Sequence, residues 1–335
     1  MNNSPFILAP ASVTAVMLKV LGALLPGVVV YAWIFGPGVL VQIVLASLTA
    51  LAAEAAMLAA RGRPAGRFLA DGSALVTAWL IALTFPPIAP WWITVGGTAF
   101  AIVVAKHLYG GLGQNPFNPA MVGFAVMIVA FPALMSQWPA QGLSAAEQIG
   151  LIFGAPRPLD AITAATALDA LRTGLHESAS AASVATVMAS HPAFGQFAGR
   201  GWEWIALAYL AGGLYLLQQR LITWHIPVAL LLGLGLTALP FWLADTAHYA
   251  SPLFHLTAGA SVLGAFFIAT DPVSGATTPR GKLIYAAGIG VITWFVRAYG
   301  AYPDGIAFAT LLMNICVPLI DMKTQPPVFG RKERR

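Results

Sequence analysis

The chain has 335 residues, 59% of them hydrophobic and only 9% charged, with a mean hydropathy of +0.79. A soluble domain carries about 25% charged residues, so a soluble protein is excluded. The net charge of +5 does not indicate nucleic acid, because the Lys and Arg residues stand in small groups at the ends of apolar runs, the pattern that orients membrane helices.

At roughly 20 apolar residues per span, about ten spans use about 200 positions and leave no room for a separate soluble catalytic domain. The bilayer offers backbone groups no water, so each run is expected to be helical. The runs fall at 16–35, 38–60, 73–89, 91–108, 119–135, 203–219, 225–243, 253–270, 283–300 and 303–320. The first lacks a charged n-region and is followed by further spans, so it is expected to be retained rather than cleaved. The single cysteine, Cys316, excludes disulfides, Cys-ligated zinc and a self-contained iron–sulfur cluster. The six histidines show no metal-ligand spacing, and no metal site is expected.

With the N-terminus inside, Arg61, Arg63, Arg67, Lys106, Arg220, Arg280 and Lys282 fall on cytoplasmic connections, with Lys323, Arg331, Lys332, Arg334 and Arg335 in the tail. The opposite face receives Arg157, Arg172, Arg200 and Arg297. This asymmetry places both termini in the cytoplasm, and puts Trp91, Trp92, Trp138, Trp202 and Trp204 at the outer interface. The expected division is a first five-helix membrane repeat (1–135), an external loop (136–202), a second five-helix repeat (203–322) and a basic cytoplasmic tail (323–335). The loop is rich in Ala, Ser and Thr, with a flexible run at Ser178–Ser183, and a loop of this length in a compact protein is either functional or disordered.

Two pairs of segments suggest a repeat. Gly72–Ala82 resembles Gly259–Ala269, and Tyr109-Gly110 parallels Tyr299-Gly300. Each pair is five spans apart, so the halves are read as inverted repeats, which place ligand sites near the midplane where helices are broken. Chance similarity between Ala- and Gly-rich membrane helices is the alternative.

Four segments have side chains suited to chemistry. Glu54 lies inside the second span, where an ionised group is costly and faces the bundle interior or a water-filled cavity. It is either an ion or proton pathway residue or a carboxyl hydrogen-bonded at the inner helix end. The segment Tyr109–Pro119 combines glycines with Asn115 and Asn118, whose amides donate and accept together. It reads either as a loop contacting the polar edge of a planar heterocycle or as a structural turn. Asp271, after the eighth span, reads as a possible ligand contact or a helix cap. In the loop, Asp160–Asp169 contains Thr163 and Thr166, either of which could cap a helix from Ala167 to Leu175.

Taken together, Lys106–Ala120, Trp224–Pro227, Gly264–Val273 and Tyr302–Ala309 resemble the D-subunit family of Rnf electron-transport complexes, related to the B subunit of the sodium-pumping NADH:quinone oxidoreductase. The resemblance extends over nearly the whole chain and is weakest at 136–160 and 175–200. That family carries an FMN joined by a phosphoester to the last threonine of an [Ser/Thr]-x-Ala-Thr motif. Thr163-Ala164-Ala165-Thr166 matches, with Leu168 and Asp169 following, so the resemblance implies covalent FMN on Thr166. The motif begins with Thr rather than Ser, and Ala167 stands where members often have Pro.

The resemblance also implies two inverted five-helix halves, as in urea transporters. It further implies an inner-membrane location with the flavin loop periplasmic, maturation by a flavin transferase, and partnership with the Rnf A, B, C, E and G subunits. Electrons would pass from the flavin of the G subunit toward the cytoplasmic side, coupling ferredoxin and NAD to sodium or proton movement. A second, noncovalent riboflavin would sit near Asn115, Asn118 and Asp271. The competing class is a urea-transporter-type channel without redox function.

Overall fold

The computed structural model describes residues 12–156, 163–177 and 183–326. Arg157, Asp160, most of the Ser178–Ser183 run and the basic residues from Arg331 onward lie outside them. Among the described residues the chain is helical, with two isolated β-bridges, Pro139 with Thr163 and Phe194 with Gly199.

In chain order the helices are α1 (Val13–Phe35), α2 (Gly38–Ala60), α3 (Ala65–Leu69), α4 (Ser73–Thr84) and α5 (Trp91–Phe100), the last running on into a π-turn, Ala101–His107. Next come α6 (Pro119–Ala130), α7 (Pro132–Met135), α8 (Ala145–Ile152), α9 (Ala167–Glu177), α10 (Val184–Ser190), α11 (Trp202–Gln218) and α12 (His225–Ala244). The chain closes with α13 (Pro252–Thr257), α14 (Ser261–Leu263, continued by a π-segment Gly264–Ile268), α15 (Pro279–Tyr299) and α16 (Ile306–Thr324).

Helices α1, α2, α12 and α16 are each long and apolar enough to cross a bilayer. Val29, Trp33, Leu48, Leu236, Ile315 and Leu319 stand exposed on them, a perimeter that suits lipid and would be an aggregation liability in water. The molecule is thus a polytopic membrane protein. Its two sequence halves share one core: α1 packs along α11, and α6 touches α16.

Several expected runs are interrupted. The run 73–89 stops being helical after Thr84, because Pro86 and Pro87 supply no donors. Gln42 of α2 donates instead to the freed carbonyls of Ala89 (2.7 Å) and Pro87 (3.3 Å), and accepts from Thr94 Oγ1 (2.6 Å). The run 119–135 breaks at Phe131, before Pro132. The run 253–270 breaks at Ala258–Ala260, where Gly259 adopts φ +59°. The run 303–320 is helical from Ile306 and continues to Thr324, and the loop helix expected to end at Leu175 reaches Glu177.

The segment between α7 and α11 is tied to the bundle through α8. Gln148 of α8 donates to Phe35 O and accepts from Gly38 N, both at 2.8 Å, closing the α1–α2 corner. Ser144 and Glu147 form a capping box that starts α8, satisfying its first amides reciprocally.

Candidate functional site

Thr166 is the N-cap of α9. Its Oγ1 accepts from Asp169 N at 3.3 Å and its carbonyl from Ala170 N at 2.8 Å. The motif is held from behind by the main chain, where Ala164 N donates to Trp138 O (2.9 Å) next to the Pro139–Thr163 bridge. A helix whose first amides point at a hydroxyl favours negative charge there, which suits a phosphoester at this position.

Thr166 and Asp169 line a cavity of about 120 Å³ together with Trp138, Trp202, Tyr31 and Tyr209. Trp138 and Trp202 meet edge to face at 5.2 Å between ring centroids, and Tyr31 meets Trp202 at 5.3 Å. Trp138 and Trp202 therefore belong to a packed aromatic cluster, whereas Trp91, Trp92 and Trp204 are exposed. The buried hydroxyls of Tyr31 and Tyr209 have no hydrogen-bond partner.

The far wall of this cavity is the α13–α14 break. Arg297, expected as an outer-face orienting charge, is instead 6% exposed. It donates to His255 O (2.7 Å), Ala258 O (3.2 Å), Ser261 Oγ (2.9 Å) and Asp304 Oδ1 (3.0 Å). Asp304 also accepts from Ala260 N (2.7 Å), so the carbonyls and amides freed by the break are satisfied by one ion pair, as buried backbone groups require. A side chain on Gly259 would collide with Asp304 and lie 2.7 Å from Leu168 Cδ1 of α9.

A second constellation joins Glu54 to a partner that sequence reading had placed among loop charges. The π-turn of α5 turns both Lys106 and His107 inward, and Lys106 Nζ sits 2.7 Å from Glu54 Oε1 and 2.8 Å from Ser73 Oγ. Glu54 and Lys106 are 3% and 2% exposed, and His107 Nε2 stands 3.4 Å from Glu54 Oε1. Glu54 Oε2 and both His107 ring nitrogens have no hydrogen-bond partner.

Lys106 and Ser73 also line a cavity of about 140 Å³, and Asn115, Asn118 and Asp271 are brought together on its wall. Asn118 is largely spent on structure: Oδ1 caps α6 through Ala120 N (3.0 Å) and Met121 N (3.2 Å), and Nδ2 donates to Ile268 O (3.2 Å). Asn115 Nδ2 donates to Phe117 O (3.0 Å). Asp271 accepts from Val273 N (3.1 Å) and Ser274 Oγ (2.7 Å). Burial pushes its carboxyl above the ordinary carboxylate value, against the pull of those hydrogen bonds.

Asn314 was missed by sequence reading. It accepts from Asn118 N (3.2 Å) and donates to Tyr285 OH and Ser274 O (both 2.9 Å). Among the described residues, no His, Cys, Asp and Glu cluster could hold a metal ion.

The class these features define is a polytopic helical membrane protein with buried ion pairs and a threonine-edged aromatic cavity. Its sequence matches the NQR2, RnfD, RnfE family over residues 1–330, and the chain belongs to that family. It is 50% identical over 334 residues to the D subunit of the ion-translocating oxidoreductase complex of Pseudomonas paraeruginosa, covering 99% of this chain and 96% of that one. The D subunits of the same complex from Alcanivorax borkumensis (49%; 99% and 96% covered) and Yersinia pseudotuberculosis (48%; 98% of each) are similar over comparable lengths.

Proposed function

We propose that the chain is the D subunit of an Rnf-type inner-membrane complex that couples electron transfer between ferredoxin and NAD to sodium or proton movement. In this reading FMN is joined covalently to Thr166, and Rnf A, B, C, E and G subunits are the partners. The observation that carries it is a threonine at a helix N-terminus opening onto an aromatic cavity, within the motif Thr163–Thr166. The residues fit the group: α9 favours its phosphate, Trp138 and Trp202 give the cavity an aromatic wall, and two buried phenols lack partners.

When bound, the flavin supplies reversible electron transfer. The protein's part is placement. Thr166 tethers, the Trp138 carbonyl fixes the motif, and the Arg297–Asp304 pair keeps the wall facing it rigid.

Ten spans in two inverted halves, with both termini cytoplasmic and the flavin loop periplasmic, complete the reading. Gly72 and Gly259, aligned in the repeat, both adopt positive φ (+79° and +59°) ahead of an apolar helix, which supports the pairing. We place a noncovalent riboflavin in the second cavity, lined by Asn115, Asn118 and Asp271. Glu54 is assigned to the ion pathway.

The test is a denaturing gel of protein made in a host with the flavin transferase. Flavin fluorescence is expected to stay with the wild-type band and to vanish in Thr166→Val. Absence from the wild type, with an unmodified mass for peptide 158–172, overturns the electron-carrier reading in favour of a transporter of the urea-channel type.

A further inference from the structure

We infer that Tyr31 and Tyr209 are the hydrogen-bond donors that hold and tune the ring of the flavin tethered at Thr166, a pair of positioning phenols supplied by α1 and α11 rather than by the loop. The inference rests on the reading of Thr166 as the attachment point.

The two side chains are 1% and 5% exposed, they line the same cavity as Thr166, and neither hydroxyl has a partner. A buried polar group left unsatisfied is costly, and such groups in native proteins call for an explanation. Phenylalanine would fill the same space at either position without that cost. Both rings are firmly set. Tyr31 packs on Phe35 and Trp202 (5.7 and 5.3 Å between centroids), and Tyr209 on Phe267 (6.1 Å), with Gly27 leaving the room its ring occupies. Rigid phenols in a site rich in aromatic faces suit a planar ring bearing carbonyl acceptors, because stacking holds the plane and O–H donors fix its rotation.

A phenol donating to a ring carbonyl interacts more strongly as that oxygen gains electron density, so it favours the reduced ring. Tyr31→Phe and Tyr209→Phe are therefore expected to lower the midpoint potential of the attached flavin. Each should cost about tenfold in the reduction equilibrium, about 59 mV for a one-electron couple, and the double variant more. Fluorescence on a denaturing gel should persist, since Thr166 is untouched. Tyr249→Phe, whose hydroxyl pairs with Tyr299 (2.9 Å) away from this cavity, serves as control and should leave the potential unchanged.

The measurement is a spectroelectrochemical titration of the purified complex. An unshifted potential and absorption spectrum in the double variant, with attachment intact, overturns the assignment. So does loss of attachment in either single variant, which would assign the phenols to building the loop site. A wild type without covalent flavin is a separate result, visible on the gel, that removes the reading beneath.

Discussion

Breaking the Glu54–Lys106 pair from one side should be far more damaging than removing it altogether. Lys106→Met strips the ammonium from a carboxylate that is 3% exposed and whose other oxygen has no partner. Removing one member of a buried pair costs about 3–5 kcal/mol, because the remaining charge is left without compensation in a low dielectric. At about 2 °C per kcal/mol, Lys106→Met should lower the unfolding temperature by about 6–10 °C. Ser73 and His107 cannot rescue it, since Ser73 Oγ faces Lys106 Nζ and His107 stands farther from the carboxylate at 3.4 Å. In Lys106→Met/Glu54→Gln no buried charge of the pair remains, and most of the loss should return. The assay is thermal unfolding of the detergent-solubilised protein for both single variants and the double, read as a double-mutant cycle. A double variant as unstable as the sum of the singles would refute the argument, because it would mean the two side chains do not compensate each other.

Three further outcomes follow from the geometry. On the proposed function, Glu54→Gln should slow ion-coupled turnover of the assembled complex and leave the proposed attachment at Thr166 unaffected; unchanged sodium or proton transport in proteoliposomes removes Glu54 from the pathway. Gly259→Ala forces a side chain into the left-handed region at about 1–2 kcal/mol and against Asp304 and Leu168, so it should lower the unfolding temperature more than Gly62→Ala, which also has positive φ (+64°) but meets no neighbour. The Glu147 carboxyl is held below its ordinary value by hydrogen bonds from Ser144. Its contribution to α8 is therefore present above the unfolded-state value and lost as pH falls through the lowered one. The protection factor of the Gly38 amide, bonded to Gln148 of α8 and corrected for the intrinsic pH dependence of exchange, should fall across that acidic window in the wild type and lose this step in Glu147→Gln.

The positions of the apolar helices were legible from hydropathy alone, because lipid allows few other backbone forms. Pro86 and Pro132 stand at two of the breaks although the expected runs passed through both, and at Ala258–Ala260 a lone glycine, Gly259, is the local mark of the turn. It persists because Arg297 and Asp304, remote in sequence, satisfy its backbone. Thr166 was readable as a helix cap or a flavin anchor, and its hydroxyl does cap α9. Glu54 stood out as a buried acid, yet its partner was counted as an orienting charge. Lys106 looked like a helix-end residue until the π-turn carried it inward, and a widened turn leaves no periodic trace in seven residues. The pairing of Asn118 with Asn314, 196 positions apart, was beyond any reading of local pattern.

The missing side chain at Gly259 determines more than a bend. Leu168, two residues past the motif threonine, rests where that side chain would stand, so the height at which the threonine rides above the bundle is registered against the interrupted helix, not against the length of the connecting loop. Insertions in the stretches flanking the motif can therefore come and go while Thr166 keeps its depth.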